Sequence, residues 1–221
     1  SGIISGTIPP DEPSDKTAVS DANGVIRKRI HGPYDERRLR HAISQLAIGI
    51  NALHKLGKLH RDIKPSNVMV TQEERVVLLD FGLIKEVAHG ESQTMGGAVG
   101  TAAYMAPEQA KGQLEKIGAH SDVYSVGAML YHLLTASVPF VPEGANLSAH
   151  RILMCVMEGP PKPVGALASN APPELLAICE RAMAREIEDR YADMGAFAED
   201  MRAFLEGRVV RAYQTGALAA A

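Results

Sequence analysis

Apolar side chains recur at spacings of three and four along Leu39, Ile43, Leu46, Ala47, Ile50 and Leu53, with Glu36, Arg37, Arg40 and Gln45 falling between them. That pattern predicts an amphipathic helix over residues 35–56, ended by Gly57. Residues 67–70 and 75–79 are short β-branched or apolar runs separated by the polar Thr71, Gln72, Glu73 and Glu74, and they predict a small hairpin. From residue 121 the helical period dominates, predicting helices over 123–136, 150–157, 173–185 and 194–205, punctuated by Pro139, Pro142, Pro160, Pro161 and Pro163. Two stretches have no period. Residues 85–101 are rich in glycine and polar side chains and read as a loop, and a loop that long inside a compact domain is usually functional or disordered. Residues 1–32, rich in Gly, Pro, Ser and Asp, read as a flexible leader with few core contacts. The organisation expected is thus a leader (1–32), one domain (33–207) and a tail or linker (208–221).

Composition narrows the classes of function. The 221 residues carry a formal net charge of -3, so no basic stripe argues for nucleic acid or a membrane surface as partner. No apolar run is long enough to span a bilayer, and the first residues lack the charged-then-apolar order of a secretion signal. The two cysteines, Cys155 and Cys179, lack metal-site spacing and sit in apolar helical contexts. They read as buried small hydrophobes of a chain kept in a reducing, cytoplasmic setting.

The candidate chemistry lies on either side of the hairpin. His60-Arg61-Asp62-Ile63-Lys64-Pro65-Ser66-Asn67 precedes it and Asp80-Phe81-Gly82 follows it. A hairpin brings its ends together, so Asp62, Lys64, Asn67 and Asp80 can converge on one site. Carboxylate and amide oxygens at that density suit a hard cation such as Mg²⁺, held by one or two carboxylates together with substrate phosphates.

These motifs, in this order, resemble the eukaryotic-type (Hanks-type) Ser/Thr protein kinases. Downstream, Gly100-Thr101-Ala102-Ala103-Tyr104-Met105-Ala106-Pro107-Glu108 resembles the end of that family's activation segment. Asp122-Val123-Tyr124-Ser125-Val126-Gly127 resembles the start of its central buried helix, followed by Pro139-Phe140, and Arg190 matches the arginine that pairs with Glu108. The likeness covers residues 35–206. It implies an α+β fold, specifically the mostly helical C-terminal lobe of a kinase with a short catalytic-loop β-hairpin. It also implies ATP and Mg²⁺ as cofactors and a protein carrying a Ser or Thr acceptor as substrate.

The roles it implies go residue by residue. Asp62 is the catalytic base that orients the acceptor hydroxyl, Asn67 and Asp80 hold Mg²⁺, and Lys64 faces the transferred phosphate. Thr101 supports Asp62 and Lys64, and Met69 lies beneath the adenine ring. Arg61 reads a phosphate on the activation segment, for which Ser92, Thr94 and Thr101 are in reach, with Thr94 as the expected site of autophosphorylation. His60 and Phe81 pack on each other, Asp122 accepts backbone hydrogen bonds from the catalytic loop, and Glu108 and Arg190 form a buried ion pair.

The family's other lobe supplies a Gly-rich loop and a strand lysine, and no such motif stands among these 221 residues. The expectation is a chain lacking the N-terminal β-lobe and transferring little phosphate when alone. The phrasing around residues 57–62 and 76–80 resembles bacterial members of the family. Two other classes are a non-catalytic kinase-like scaffold, for which metal ligands have no use, and a small-molecule phosphotransferase, for which the Ala106-Pro107-Glu108 segment has none.

Overall fold

The protein is described by a computed structural model over residues 18–20, 26–28, 36–80 and 99–214. It divides into two units, Ser1–Tyr34 and Asp35–Ala221. In the first, β1 (Ala18–Ser20) pairs antiparallel with β2 (Ile26–Lys28), Val19 standing opposite Arg27. The aperiodic sequence here predicts only a leader, and the strand pair departs from that. Strands of three residues are too short for an alternating pattern to register.

The second unit opens with α1 (Glu36–Lys55), whose apolar stripe, Leu39, Ile43, Leu46, Ala47 and Ile50, is buried. It ends where Gly57 takes φ 70, the left-handed conformation that glycine adopts at low cost. One 3-10 turn, Pro65–Asn67, leads into β3 (Val68–Val70) and β4 (Val76–Leu78), an antiparallel hairpin with Met69 opposite Val77. Gln45 of α1 fastens the hairpin: its amide donates to Glu74 O at 2.8 Å and its carbonyl accepts the Val76 N–H at 3.1 Å. A polar residue beside the apolar stripe of α1 thus fixes where β4 begins.

The described chain resumes at α2 (Val99–Ala102) and α3 (Pro107–Ala110), then α4 (Ala119–Thr135), α5 (Ala149–Glu158), α6 (Val164–Leu167), α7 (Pro173–Ala182) and α8 (Met194–Leu205). The four long helices match the periodic segments. The four-residue helices α2, α3 and α6 do not show in the sequence, because one turn cannot establish a 3.6-residue period. Every residue from Ser121 to Tyr131 of α4 is buried, so this helix is enclosed on all sides and the rest of the unit packs around it. Gly127 makes that possible: a Cβ there would lie 2.7 Å from Ala182 Cβ on α7. α8 packs along α1, where Arg40 sets its guanidinium 4.1 Å from the centre of the Phe204 ring.

Two further differences from the sequence pattern have local causes. Cys179 is fully buried, but Cys155 is only half-buried, because Ile152 and Val156 of α5 take the inward positions and leave Cys155 at the edge of that face. The chain expected to leave the domain at residue 208 stays on it through Gln214. Asp200, 2 % exposed, accepts the N–H groups of Arg211 and Ala212, each at 3.0 Å, and the Tyr191 hydroxyl at 2.9 Å, and Val210 and Ala212 are buried. Among the described residues no helix is long and apolar enough to cross a membrane.

Candidate active site

The loop before the hairpin is set from outside by one carboxylate. Asp122, in the first turn of α4 and 1 % exposed, accepts the His60 N–H on Oδ2 at 2.9 Å and the Arg61 N–H on Oδ1 at 2.8 Å. His54, on the last turn of α1, places Nε2 2.8 Å from the same Oδ2. A buried carboxylate needs such partners, since leaving it unpaired costs several kcal/mol. Arg61 takes φ 66, a conformation that disfavours a side chain with a Cβ. Its two peptide groups are pinned, the N–H by Asp122 and the carbonyl by the Gln109 side chain of α3 at 3.2 Å. The backbone is therefore held in this bend from α4 and α3, which re-aims the next residue, Asp62.

Around Asp62 the side chains close on one another. Lys64 Nζ donates to both carboxylate oxygens, at 3.1 and 2.9 Å, and to Thr101 Oγ1 at 3.0 Å. Asn67 Nδ2 donates to Asp62 O at 2.8 Å and to Asp62 Oδ2 at 3.1 Å. Both partners of that amide nitrogen are acceptors, which fixes the orientation of the side chain and turns Oδ1 the other way, towards the Ser66 hydroxyl at 3.5 Å. Asp62 and Lys64 remain partly exposed, 30 and 20 %, so the cluster opens to solvent rather than into the core. The Leu79 N–H donates to Asn67 O at 2.8 Å, which puts Asp80, the next residue and itself exposed, beside the Asn67 end of the loop. Asp80 has φ 49, a second left-handed bend. His60, fully buried, reaches across to Leu79 O through Nε2 at 3.2 Å. Met69 is 48 % exposed.

A second cluster anchors the segment that carries Thr101. Arg190 forks onto Glu108, NH1 to Oε1 at 2.9 Å and NH2 to Oε2 at 2.8 Å, with both side chains buried. Its remaining donors reach Ala184 O and Arg185 O, and Ser121 donates to Glu108 Oε1 at 2.6 Å. Burial pushes the Glu108 carboxyl up, but the Arg190 and Ser121 hydrogen bonds and the Arg190 charge outweigh it and leave the carboxyl below its usual range. Tyr104 and His132 form another tie between this segment and α4, at 2.7 Å. Burial raises the tyrosine to about 12 and lowers the histidine, favouring the uncharged form of each.

The structure thus brings together Asp62, Lys64, Asn67 and Thr101, sets Asp80 next to them along the backbone, and keeps Glu108 and Arg190 apart as a distinct buried pair. Phe81, Ser92 and Thr94 lie outside the described residues. His54, Gln109, Ser121 and the Tyr104–His132 pair were not singled out in the sequence. Each acts across 13 to 68 residues of chain, a relation that no local pattern displays. Among the described residues no group of three or more His, Cys, Asp and Glu side chains could hold a metal by itself. The donor set of Asn67 and Asp80 suits Mg²⁺, which takes much of its coordination from phosphates and water.

A bent loop set from a buried helix, a lysine-bridged aspartate and an amide beside a hairpin form one solvent-open cluster. The protein kinase domain pattern matches residues 18–202, and the chain belongs to the protein kinase family. The match begins before residue 35, where the likeness visible in the sequence starts, because the stretch containing β1 and β2 carries none of the fingerprint motifs. Among its relatives, the serine/threonine-protein kinase PknB of Mycolicibacterium smegmatis is 33% identical over 90% of this chain and 32% of its own length. PknL of Mycobacterium tuberculosis is 34% identical over 83% of the chain and 45% of its own length. A probable serine/threonine-protein kinase of Streptomyces coelicolor is 38% identical over 89% and 29%. The chain spans less than half the length of these relatives.

Proposed function

We propose that the protein transfers the γ-phosphoryl group of ATP to a serine or threonine hydroxyl of another protein, with Asp62 as the catalytic base. The observation that carries this reading is the Asp62 carboxylate held by Lys64 and Asn67 in one solvent-open cluster with Thr101. Such a transfer depends mainly on placing the acceptor in line with the phosphate and offsetting the charge of the phosphate oxygens. Asp62 orients the hydroxyl and takes its proton. Lys64, tied between Asp62 and Thr101, brings positive charge to the transferred group, and Thr101 links that lysine to the substrate-facing segment. Asn67 Oδ1 and the Asp80 carboxylate would hold Mg²⁺, which supplies charge neutralisation at the phosphates, and Met69 would lie under the adenine. Arg61, exposed beside the site, would read a phosphate on Thr94. The setting proposed is the cytoplasm, where ATP is at hand.

The Gly-rich loop and strand lysine of the family's smaller lobe complete the phosphate site, and the polypeptide taken alone is expected to transfer little. The exposed apolar surface of the hairpin, Met69, Val70, Val77 and Leu79, fits a lobe packed over it. The test is transfer of labelled phosphate from Mg²⁺-ATP to a protein acceptor by the full-length gene product, compared with its Asp62→Asn variant. Loss of the base should lower turnover by about 10² to 10⁴-fold, with phosphate recovered on serine or threonine. Equal turnover in the variant, with the fold intact, would overturn Asp62 as the base, and no transfer by either protein would leave a non-catalytic scaffold as the better reading.

A further inference from the structure

A cavity of about 570 Å³ lies between the end of α4, the loop at residues 137–143, α5 and the segment at 159–162, remote in sequence from the Asp62 cluster. That volume is in the range of sites that enclose a ligand or an anchoring side chain. Its walls are apolar, with Tyr131, Val138, Phe140 and Val141 among them. The Tyr131 hydroxyl donates to Lys162 O at 2.9 Å and so pins the proline segment to α4 as one wall. Phe140 takes φ 66, which for an aromatic residue is a strained conformation costing about 1 to 3 kcal/mol. Ala136, at φ 54, bends the same connection just after α4.

The hydrogen-bonding character of this wall is one-sided. Pro160 and Pro161 have no N–H to offer, so their main chain presents carbonyl acceptors. Glu143 and Glu158, both exposed and both lining the cavity, are acceptors when ionised. The Ser137 hydroxyl is already turned to Thr135 O at 3.4 Å. Two carboxylates against the single ammonium of Lys162 leave the lining with an excess of negative charge. An occupant that fits must cover apolar walls with an apolar group and bring its own charged donors.

We propose that this cavity is a docking site for a protein partner's peptide segment in which an apolar side chain stands next to a lysine or arginine. The apolar side chain fills the space beside Tyr131 and Phe140, and the cation meets Glu143 and Glu158. Nothing in this assignment requires phosphoryl transfer by Asp62, so it can stand or fall separately from the catalytic reading.

The test uses the full chain and two fluorescein-labelled peptides that differ only in charge, one with two leucines followed by two arginines and one with glutamates in place of the arginines. Binding is read by anisotropy, and location by the rate at which iodoacetamide alkylates Cys155. That thiol is half-buried on the cavity wall, whereas Cys179 is fully buried and reports that the fold is intact. The arginine peptide should bind and slow alkylation of Cys155, and the glutamate peptide should do neither. The double variant E143K/E158K, which alters two exposed positions, should bind the arginine peptide at least about tenfold more weakly, as expected for turning two attractive charges into repulsive ones. Equal binding of the two peptides, binding that survives the double variant, binding that leaves Cys155 unprotected, or no binding of the arginine peptide would each overturn the proposal.

Discussion

At the scale of single residues, the same bond lengths mean different things in different surroundings. Lys64 and Asp62 are 2.9 Å apart and partly exposed, whereas Arg190 and Glu108 are 2.8 Å apart and buried. Solvent screens the first pair, so its value is placement, while breaking the second strands a charge in the interior, at a cost of about 3 to 5 kcal/mol. Glu108→Gln is therefore expected to lower stability to urea by about that amount, more than any change at Lys64. The pH dependence follows from the direction of the Glu108 shift. The folded carboxyl holds its proton less tightly than the unfolded one, so its contribution is complete above the ordinary carboxylate range and is lost as pH falls through the folded value. Urea midpoints measured from pH 6 down to pH 3 should fall more steeply for the wild type than for Glu108→Gln. Parallel curves would show that the pair does not govern the acid limb. Which acid meets which arginine was suggested in the sequence by a family resemblance rather than by spacing, because 82 residues separate the partners.

Between elements, the decisive features are close approaches. α4 and α7 touch at Gly127, where an added Cβ would come within 2.7 Å of Ala182 Cβ and 3.2 Å of its backbone carbon. Gly127→Ala would normally favour a helix by about 1 kcal/mol. Here overpacking against backbone should cost about 1 to 3 kcal/mol and prevail, giving a lower Tm in thermal unfolding, and a raised Tm would refute the close approach. The long helices and the hairpin were legible because their periods run over many residues or are bounded by turn signals. Gln45 illustrates what was not: as a sequence position it reads as the polar side of an amphipathic helix, yet its amide grips the backbone on both sides of Arg75, where β4 begins. The short helices α2, α3 and α6 owe their form to what they pack against, and a single turn of sequence carries no record of that.

For the molecule as a whole, the boundary of the folded unit matters as much as its interior. Asp200 holds residues 208–214 against the body by capping two N–H groups while it accepts the Tyr191 hydroxyl. Asp200→Ala would leave those buried donors unmatched at about 1 to 3 kcal/mol each. Cleavage by trypsin after the exposed Arg211 should then become faster under native conditions, with cleavage after Arg202 in α8 unchanged. An unchanged rate at Arg211 would mean that Val210 and Ala212 suffice to keep the segment down. The sequence pattern places the boundary at 207 because Gly207 and Arg208 look like a helix end followed by polar chain. A capping carboxylate about two turns earlier, in α8, is invisible to such a pattern, since the groups it caps at Arg211 and Ala212 are backbone N–H groups.

The dependence of the bend at His60 and Arg61 on Asp122 has a consequence for synthesis. The ribosome delivers residues 60–67 well before residue 122, and Glu108 well before Arg190, so the loop emerges without the carboxylate that bends it and the segment bearing Thr101 without its anchor. A nascent chain can form the hairpin turn early, because its contacts are local, whereas the apolar stripe of α1 waits for α8. It cannot assemble the cluster around Asp62 and Thr101 until nearly the whole domain has been translated. The arrangement therefore arrives late, and an incomplete product on the ribosome carries the cluster's residues without it.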